Sequence, residues 1–497
     1  MTVADLVMAI DQGTSSTKAL VVDPTGRIIA AKGVALRSEY PRPGWVEQSP
    51  EAIVTSVREA VAAVMAGIEP GRIAAVGLSN QRESLVLWET STGRPVGPLI
   101  SWQDQRAAAI CEALRDQGAG ELVRQRSGLP LDPMFSATKA RWLLDEYDQG
   151  RRRSRDGQLR LGTVDSWLLA QFTTEHLIEV GNASRTQLVS VAAADWDDDL
   201  LGLFEVPPQV LGRIVPSIGP FPSVRGLAPL LDGTPIGAVL GDSHAALFAH
   251  AGWTPGTVKA TYGTGSSVMG LCPAPTAAGG GLCLTIAWDT GSGPERAVEG
   301  NIRSSGATLS WLARLVGSTP GALAELAATA SSNGVHLVPG FGGLGAPWWD
   351  RGAVGLLTGL TFGSELPQLA RAAVESIAFQ VEDVVDEIHR WVQPVSVLLA
   401  DGGATANDQL MQLQADTSGR VVQRAEQTDL SPLGAAHLAG LGAGVWDRAG
   451  LEALPRPRTR FAPVESAATS GPRRSAWLAA VARARWEAPE PPTELRT

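Results

Sequence analysis

Apolar residues open the chain in short runs. Leu6 to Ile10 is unbroken, Ala19 to Val22 follows, and Asp23-Pro24-Thr25-Gly26 turns the chain before the next run begins at Ile28. Short apolar runs bounded by turn residues read as strands, so residues 6–32 predict a three-stranded antiparallel meander. From Ser49-Pro50 through Met65 apolar residues recur at helical spacing behind a serine cap and an early proline, which predicts a helix over 50–66. Ile73 to Leu78 then reads as a buried strand that ends at Ser79-Asn80. The pattern recurs in the second half. Thr257 to Met269 predicts a hairpin, 304–316 and 368–391 are helical by period, Val395 to Leu399 is a strand running into Asp401-Gly402-Gly403-Ala404, and 407–417 is a further helix. The pattern breaks at Ala249 to Pro255, which sets a boundary near residue 250; Gly279-Gly280-Gly281 and Gly340 to Gly345 read as loops.

The strand turns in the two halves carry similar chemistry. Asp11-Gln12-Gly13-Thr14-Ser15-Ser16 and Tyr262-Gly263-Thr264-Gly265-Ser266-Ser267 each join two strands through glycine and hydroxyl residues. A small residue lets backbone N–H groups close on phosphate oxygens, and the hydroxyls add donors. Either turn alone is common. Two of them, one per half, point to two similar lobes that clamp a nucleotide phosphate chain. Meander, helix, strand, helix is the order of ribonuclease H-like and actin-like ATPase lobes.

A chain of 497 residues exceeds what one core usually supports, and its 44% hydrophobic and 19% charged content suit a soluble globular protein. A net charge of −10 argues against a nucleic-acid surface. The one dense basic run, Arg151-Arg152-Arg153 with Arg155, reads as a solvated loop. No apolar stretch reaches the length of a bilayer span, and no signal peptide is expected. Three cysteines without metal spacing suit reduced thiols in a cytoplasm. Ala488-Pro489-Glu490-Pro491-Pro492 reads as part of a frayed tail over 488–497.

Three clusters fall at strand ends. Asn80-Gln81-Arg82-Glu83-Ser84, with Trp102-Gln103-Asp104, could present a donor fork and an acceptor to vicinal hydroxyls, or hold a surface ion pair. Gly241-Asp242-Ser243-His244 follows the apolar strand Ile236 to Leu240; Asp242 is placed as a base or as a helix N-cap, and His244 reads as packing or capping. Asp401-Gly402-Gly403-Ala404-Thr405-Ala406-Asn407 suits close approach of an adenosine face, or is an ordinary tight turn.

These segments, in this order, resemble the FGGY carbohydrate kinase family, in particular its members of glycerol kinase type. Further matching segments are Gly128-Leu129-Pro130-Leu131-Asp132-Pro133, Asn182-Ala183-Ser184-Arg185-Thr186, Gly343-Leu344-Gly345-Ala346-Pro347-Trp348-Trp349-Asp350 and Glu375-Ser376-Ile377-Ala378. The resemblance implies an α/β fold of two actin-like (ribonuclease H-like) ATPase lobes with a deep interdomain cleft. The N-terminal lobe, 1–250, would bind substrate and phosphate, and the C-terminal lobe, 251–487, the nucleotide. It further implies ATP-dependent transfer of the γ-phosphoryl group, with Mg²⁺, to a terminal hydroxyl of glycerol or a related small polyol. A non-catalytic actin-like nucleotide switch is the reading from another class, and Arg82, Glu83, Trp102 and Asp242 would have no purpose in it. By matched position Asp242 is the general base, and Asp11 and Asp242 hold the metal. Arg82, Glu83, Trp102, Met134, Asp242, Ser243 and Ser267 line the substrate. Thr14, Ser15, Ser16, Lys18, Thr264, Gly306, Ser310, Gly403 and Asn407 line the nucleotide. A homodimer is implied as possible.

The chain departs from glycerol kinases at several of these positions. Lys18 stands in place of arginine, Ser310 in place of glutamine, Met134 in place of tyrosine, Ser243 in place of glutamine and Ser267 in place of phenylalanine. Three bulky walls have thus shrunk or lost a hydrogen bond. An enlarged pocket would suit a tetritol or a pentulose of xylulose or ribulose type as the alternative acceptor. The loop by which bacterial glycerol kinases bind a sugar bisphosphate is missing at Leu231 to Pro235, so that control is not expected here.

Overall fold

The computed structural model describes residues 4–272 and 279–486. The expected tail over 488–497 lies outside the described residues.

The opening meander is β1 (Leu6–Gln12), β2 (Ser16–Val22) and β3 (Ile28–Ala35), each pair antiparallel. Strands β4 (Ile73–Asn80) and β5 (Ile236–Gly241) add in parallel to give the order β5-β4-β1-β2-β3. Helix α1 (Pro50–Val64) covers one face; Ser49 caps it by accepting the Ala52 N–H. The predicted element types hold through residue 80. What the periodicity did not foresee is the insertion between β4 and β5, whose strands at 85–89, 99–100 and 159–163 form a four-stranded sheet with a short strand at 47–48 that precedes α1.

The second sheet repeats the first. β6 (Thr257–Tyr262), β7 (Ser266–Leu271) and β9 (Pro294–Ile302) form an antiparallel meander, and β10 (Val397–Asp401) and β11 (Val421–Ala425) join in parallel. The core order β9-β7-β6-β10-β11 is that of the first sheet, extended at the edges by β8 (Cys283–Asp289) and β12 (Arg458–Phe461). The predicted helices form as α3 (Gly306–Leu315), α4 (Leu366–Trp391) and α5 (Asp408–Ser418).

The lobes meet through two helices. α2 (Asp242–Ala249) leaves the end of β5, and α6 (Leu430–Gly442), late in the chain, packs back on the first sheet and on α2. Glycines make that approach possible. A methyl group at Gly77 would lie 2.3 Å from the Ala435 carbonyl oxygen, and one at Gly434 would lie 1.8 Å from that of Ala245. The apolar core here is shared, joining Val7, Leu20 and Leu240 of the first sheet to Met269 and Trp288 of the second and Leu438 of α6.

The basic run is solvated only in part: Arg152 and Arg155 are exposed, but Arg151 is buried and its guanidinium reaches Asp145 and the Glu205 carbonyl, while 152–155 form a helical turn. Separate partners, Asp145 for Arg151, Glu89 for Arg153 and the Gly150 carbonyl for Arg155, let the arginines tolerate one another. All three cysteines are buried. Among the described residues no helix is long and apolar enough to cross a membrane.

Candidate active site

The site is built where strands end at the gap between the two sheets. Asp11 sits one residue before the end of β1, opposite Ser79 of β4, whose hydroxyl donates to Asp11 Oδ1 at 2.7 Å. Asp242 follows the last residue of the neighbouring strand β5, so parallel pairing sets two carboxylates at one edge. Burial, and then the charge of Asp242, raise Asp11 to about 6, against the hydrogen bond from Ser79. Asp242 is also raised, by burial, although Arg82 opposes it. Its side chain is 39% exposed, so it is walled by protein yet open to the gap. Asp242 is not the N-cap of α2, a place held by Gly241 without a side-chain bond; it is the first residue of the helix, and its Oδ1 accepts the Ser243 N–H at 2.6 Å.

Arg82 and Glu83 are both buried, which rules out a surface ion pair, but they do not act as one adjacent fork. Glu83 adopts φ +62°, a left-handed backbone that turns neighbouring side chains apart. Arg82 makes a two-pronged contact with Glu299 of β9, at 2.7 and 3.0 Å, and its Nε lies 3.3 Å from Asp242. Glu83 instead accepts from Arg185 Nε at 2.6 Å, and Arg185 pairs with Glu299 Oε2, which Arg82 also contacts, at 2.9 Å. Burial alone would raise Glu299, but Arg185 and Arg82 hold it well below the usual carboxylate range. Two arginines and two glutamates therefore close a chain across the lobes, and Asp242 leans on it from the open side. Glu299 was absent from the candidates; an acid inside the apolar run Ala297-Val298-Glu299-Gly300 was its only signal. Arg185 lay in a matching segment without a role.

The remaining substrate candidates border this chain. Ser267 donates to Glu299 Oε1 at 2.7 Å, and the indole N–H of Trp102 donates to Thr14 Oγ1 at 3.0 Å. Met134 lies on a loop whose carbonyls at 133 and 134 receive the buried ammonium of Lys139, itself lowered to about 8 by burial. Arg303, just past β9, ties that loop to the second lobe through Asp132 at 2.7 Å. His244 is buried, and burial and Arg82 hold it well below its usual range, so it is neutral and its Nε2 lies 3.4 Å from Arg82.

The nucleotide candidates fall around the two hairpin turns. Gly13 N–H bonds Ser16 carbonyl and Gly263 N–H bonds Gly265 carbonyl, so both turns close on themselves. Gln81 locks the first turn by donating to Gln12 and Gln48, while Gln48 donates to the Thr14 carbonyl. Ser15 accepts the Leu36 N–H through its carbonyl, and its hydroxyl makes no hydrogen bond among the described residues. The Gly306 N–H is used on the Gly263 carbonyl, and Ser310 Oγ turns back to the Gly306 carbonyl. Thr264 accepts the Ser305 and Ala307 N–H groups. Lys18 pairs with Asp429 at 2.8 Å at an exposed rim. The glycine pair splits its work: Gly402, at φ +96°, is needed for the approach of Tyr262 backbone, whereas Gly403 faces open space. Asn407 caps α5 through its side-chain oxygen, which leaves its amide hydrogens available.

Comparison with known proteins gives a family. The model for the N-terminal domain of the FGGY family of carbohydrate kinases matches residues 6–249, and that for the C-terminal domain matches 258–443. A glycerol kinase of Aromatoleum aromaticum is 42% identical over 96% of this chain and 98% of its own. An apulose kinase of Pectobacterium atrosepticum is 41% identical over 97% and 98%. The crystal structure of Plasmodium falciparum glycerol kinase with ADP superposes with a TM-score of 0.90 at 28% identity, covering 97% of this chain and 99% of that one.

Proposed function

This chain belongs to the FGGY family of carbohydrate kinases, an ATP-dependent phosphotransferase with an alcohol as acceptor, and we propose that it phosphorylates a terminal hydroxyl of glycerol or a related small polyol. The observation that carries this reading is the raised carboxylate of Asp242, open to the gap and backed by Arg82. A base must be unprotonated near neutrality yet basic enough to take a hydroxyl proton, and burial supplies that basicity. Arg82 then steadies the carboxylate, and Glu299 prevents Arg82 from collapsing onto it. Glu83, held by Arg185, keeps its second oxygen for an acceptor hydroxyl. Trp102 walls the same side. Closure of two lobes around such a site excludes water, which would otherwise compete for the phosphoryl group.

The residues present fit a divalent cation. The charge of Asp242 helps raise Asp11, which a hard cation with oxygen ligands would relieve, and Mg²⁺ is usually held by one or two carboxylates with the rest of its shell from phosphate and water. When bound it would neutralise phosphate charge. Thr14, Ser15, Ser16 and Thr264 would offer donors to the phosphates, with Gly403 and Asn407 on the nucleoside side.

A second reading, a pentulose or tetritol as acceptor, draws on a specific feature. Ser267 is a small hydroxyl residue on Glu299, the carboxylate that holds Arg82, and the apulose kinase relative is about as similar as the glycerol kinases. Coupled ADP release across glycerol, erythritol, threitol, xylitol, ribitol, xylulose and ribulose tests both readings. Activity on none of them would defeat the kinase proposal. Asp242→Asn is expected to lower turnover by about 10²–10⁴-fold with little change in acceptor affinity, and an unchanged kcat would remove Asp242 as the base.

A further inference from the structure

We propose that Asn301 determines acceptor specificity: its side-chain carbonyl receives a hydroxyl hydrogen from an acceptor longer than three carbons. This deepens the kinase reading and rests on it.

Asn301 stands directly opposite Ser267 in the antiparallel pairing of β7 and β9, so the two side chains share one face. Glu299, two residues earlier on β9, lies on that face too. Gly300 lies on the other, where a methyl group would strike Val384 of α4. The shared face looks into the gap, since Glu299 reaches Arg82 and Arg185, and Arg303, two residues beyond, reaches Asp132. Asn301 is thus bracketed by the Arg82–Asp242 contact on one side and the Met134 loop on the other.

Its amide orientation is set by chemistry. The nitrogen faces Glu299 Oε1 at 3.4 Å, and only the NH₂ end can donate to a carboxylate. The oxygen then points elsewhere, and it is buried with no hydrogen-bond partner. A buried amide oxygen without a donor costs free energy, so the site favours a ligand that brings one. Phosphate cannot do so, because an acceptor beside the Glu299 carboxylate repels anions. A hydroxyl can. Glycerol, with two of its three hydroxyls on Asp242 and Glu83, has one left on a three-carbon chain; a four- or five-carbon polyol or ketose has more hydroxyls and a longer chain with which to reach a third wall across the gap. Sites built to bond a hydroxyl reject analogues that lack it.

The test compares kcat/KM for glycerol and for the tetritols, pentitols and pentuloses in wild type, Asn301→Ala and Asn301→Val, the latter close in volume without polar atoms. Wild type is expected to prefer a longer acceptor. Both variants should lose about 5–150-fold on it, the equivalent of one hydrogen bond at about 1–3 kcal/mol, while glycerol changes less than about threefold. KM for ATP and the thermal midpoint should stay constant. Equal losses on glycerol and the longer acceptor, or no loss, would overturn the proposal, as would a wild type that accepts glycerol alone. A wild type with no acceptor in the panel would overturn the kinase reading along with it.

Discussion

Replacing Glu299 with glutamine should disable the site without touching a reacting atom. Glu299 is fully buried and balances two guanidinium groups, accepting from Arg82 at 2.7 and 3.0 Å and from Ser267 at 2.7 Å and pairing with Arg185 at 2.9 Å. Removing one partner of a buried ion pair costs about 3–5 kcal/mol, because the remaining charge stays uncompensated. Glutamine keeps the shape and one acceptor oxygen, so the lower end, about 3 kcal/mol, is the expectation. The charges left around Asp242 are Arg82, Arg185, Glu83, Asp11 and Lys259. Arg82, no longer shared, would turn its full charge on Asp242 and make it a weaker base. Weakening the base should lower kcat/KM for the acceptor about 10²-fold, the low end of what a general base contributes. Steady-state kinetics of Glu299→Gln with the acceptor varied at saturating ATP measures it, and the acid limb of the pH profile should move to lower pH. A purely structural role would lower the melting temperature without moving that limb. A variant with acceptor kcat/KM within twofold of wild type would refute the idea that Glu299 positions Arg82.

Two further outcomes follow from the packing. Lys139 is lowered by burial to about 8, so the folded protein loses this proton before the unfolded chain does; the stability of wild type relative to Lys139→Met should therefore rise between about pH 8 and 10.5, by at most about 3 kcal/mol, seen in denaturation midpoints across pH. Over the same interval acceptor KM should increase, because the neutral amine holds the carbonyls of Pro133 and Met134 less firmly; a KM flat to pH 10 would contradict that link. Gly434→Ala would press a methyl to 1.8 Å from the Ala245 carbonyl, which backbone cannot evade, so about 3 kcal/mol or more of stability and a lower kcat are expected from separating α6 from α2. A thermal midpoint equal to wild type would show that the helices are not in close contact.

Much of this architecture was readable before any coordinates. Leu6–Gln12, Ser16–Val22 and Thr257–Tyr262 declare themselves as strands because alternation and turn residues are local properties, and Ser49 with Pro50 marks a helix start for the same reason. Asp11 and Asp242 were found at strand ends by the same local logic. The insertion after Asn80 escaped because its strands are as short as two residues, too brief to show a period. Arg82 and Glu83 were paired with each other because they are neighbours in sequence. Their real partners are remote: Arg82 meets Glu299 across 217 positions, and Glu83 meets Arg185 across 102. The sequence by itself determined two repeated meanders, their glycine turns and the carboxylates beside them, since each depends on a few consecutive residues. The tertiary structure alone decided which charges neutralise which, because a buried ion is satisfied only by what remote segments of the chain bring within about 3 Å of it.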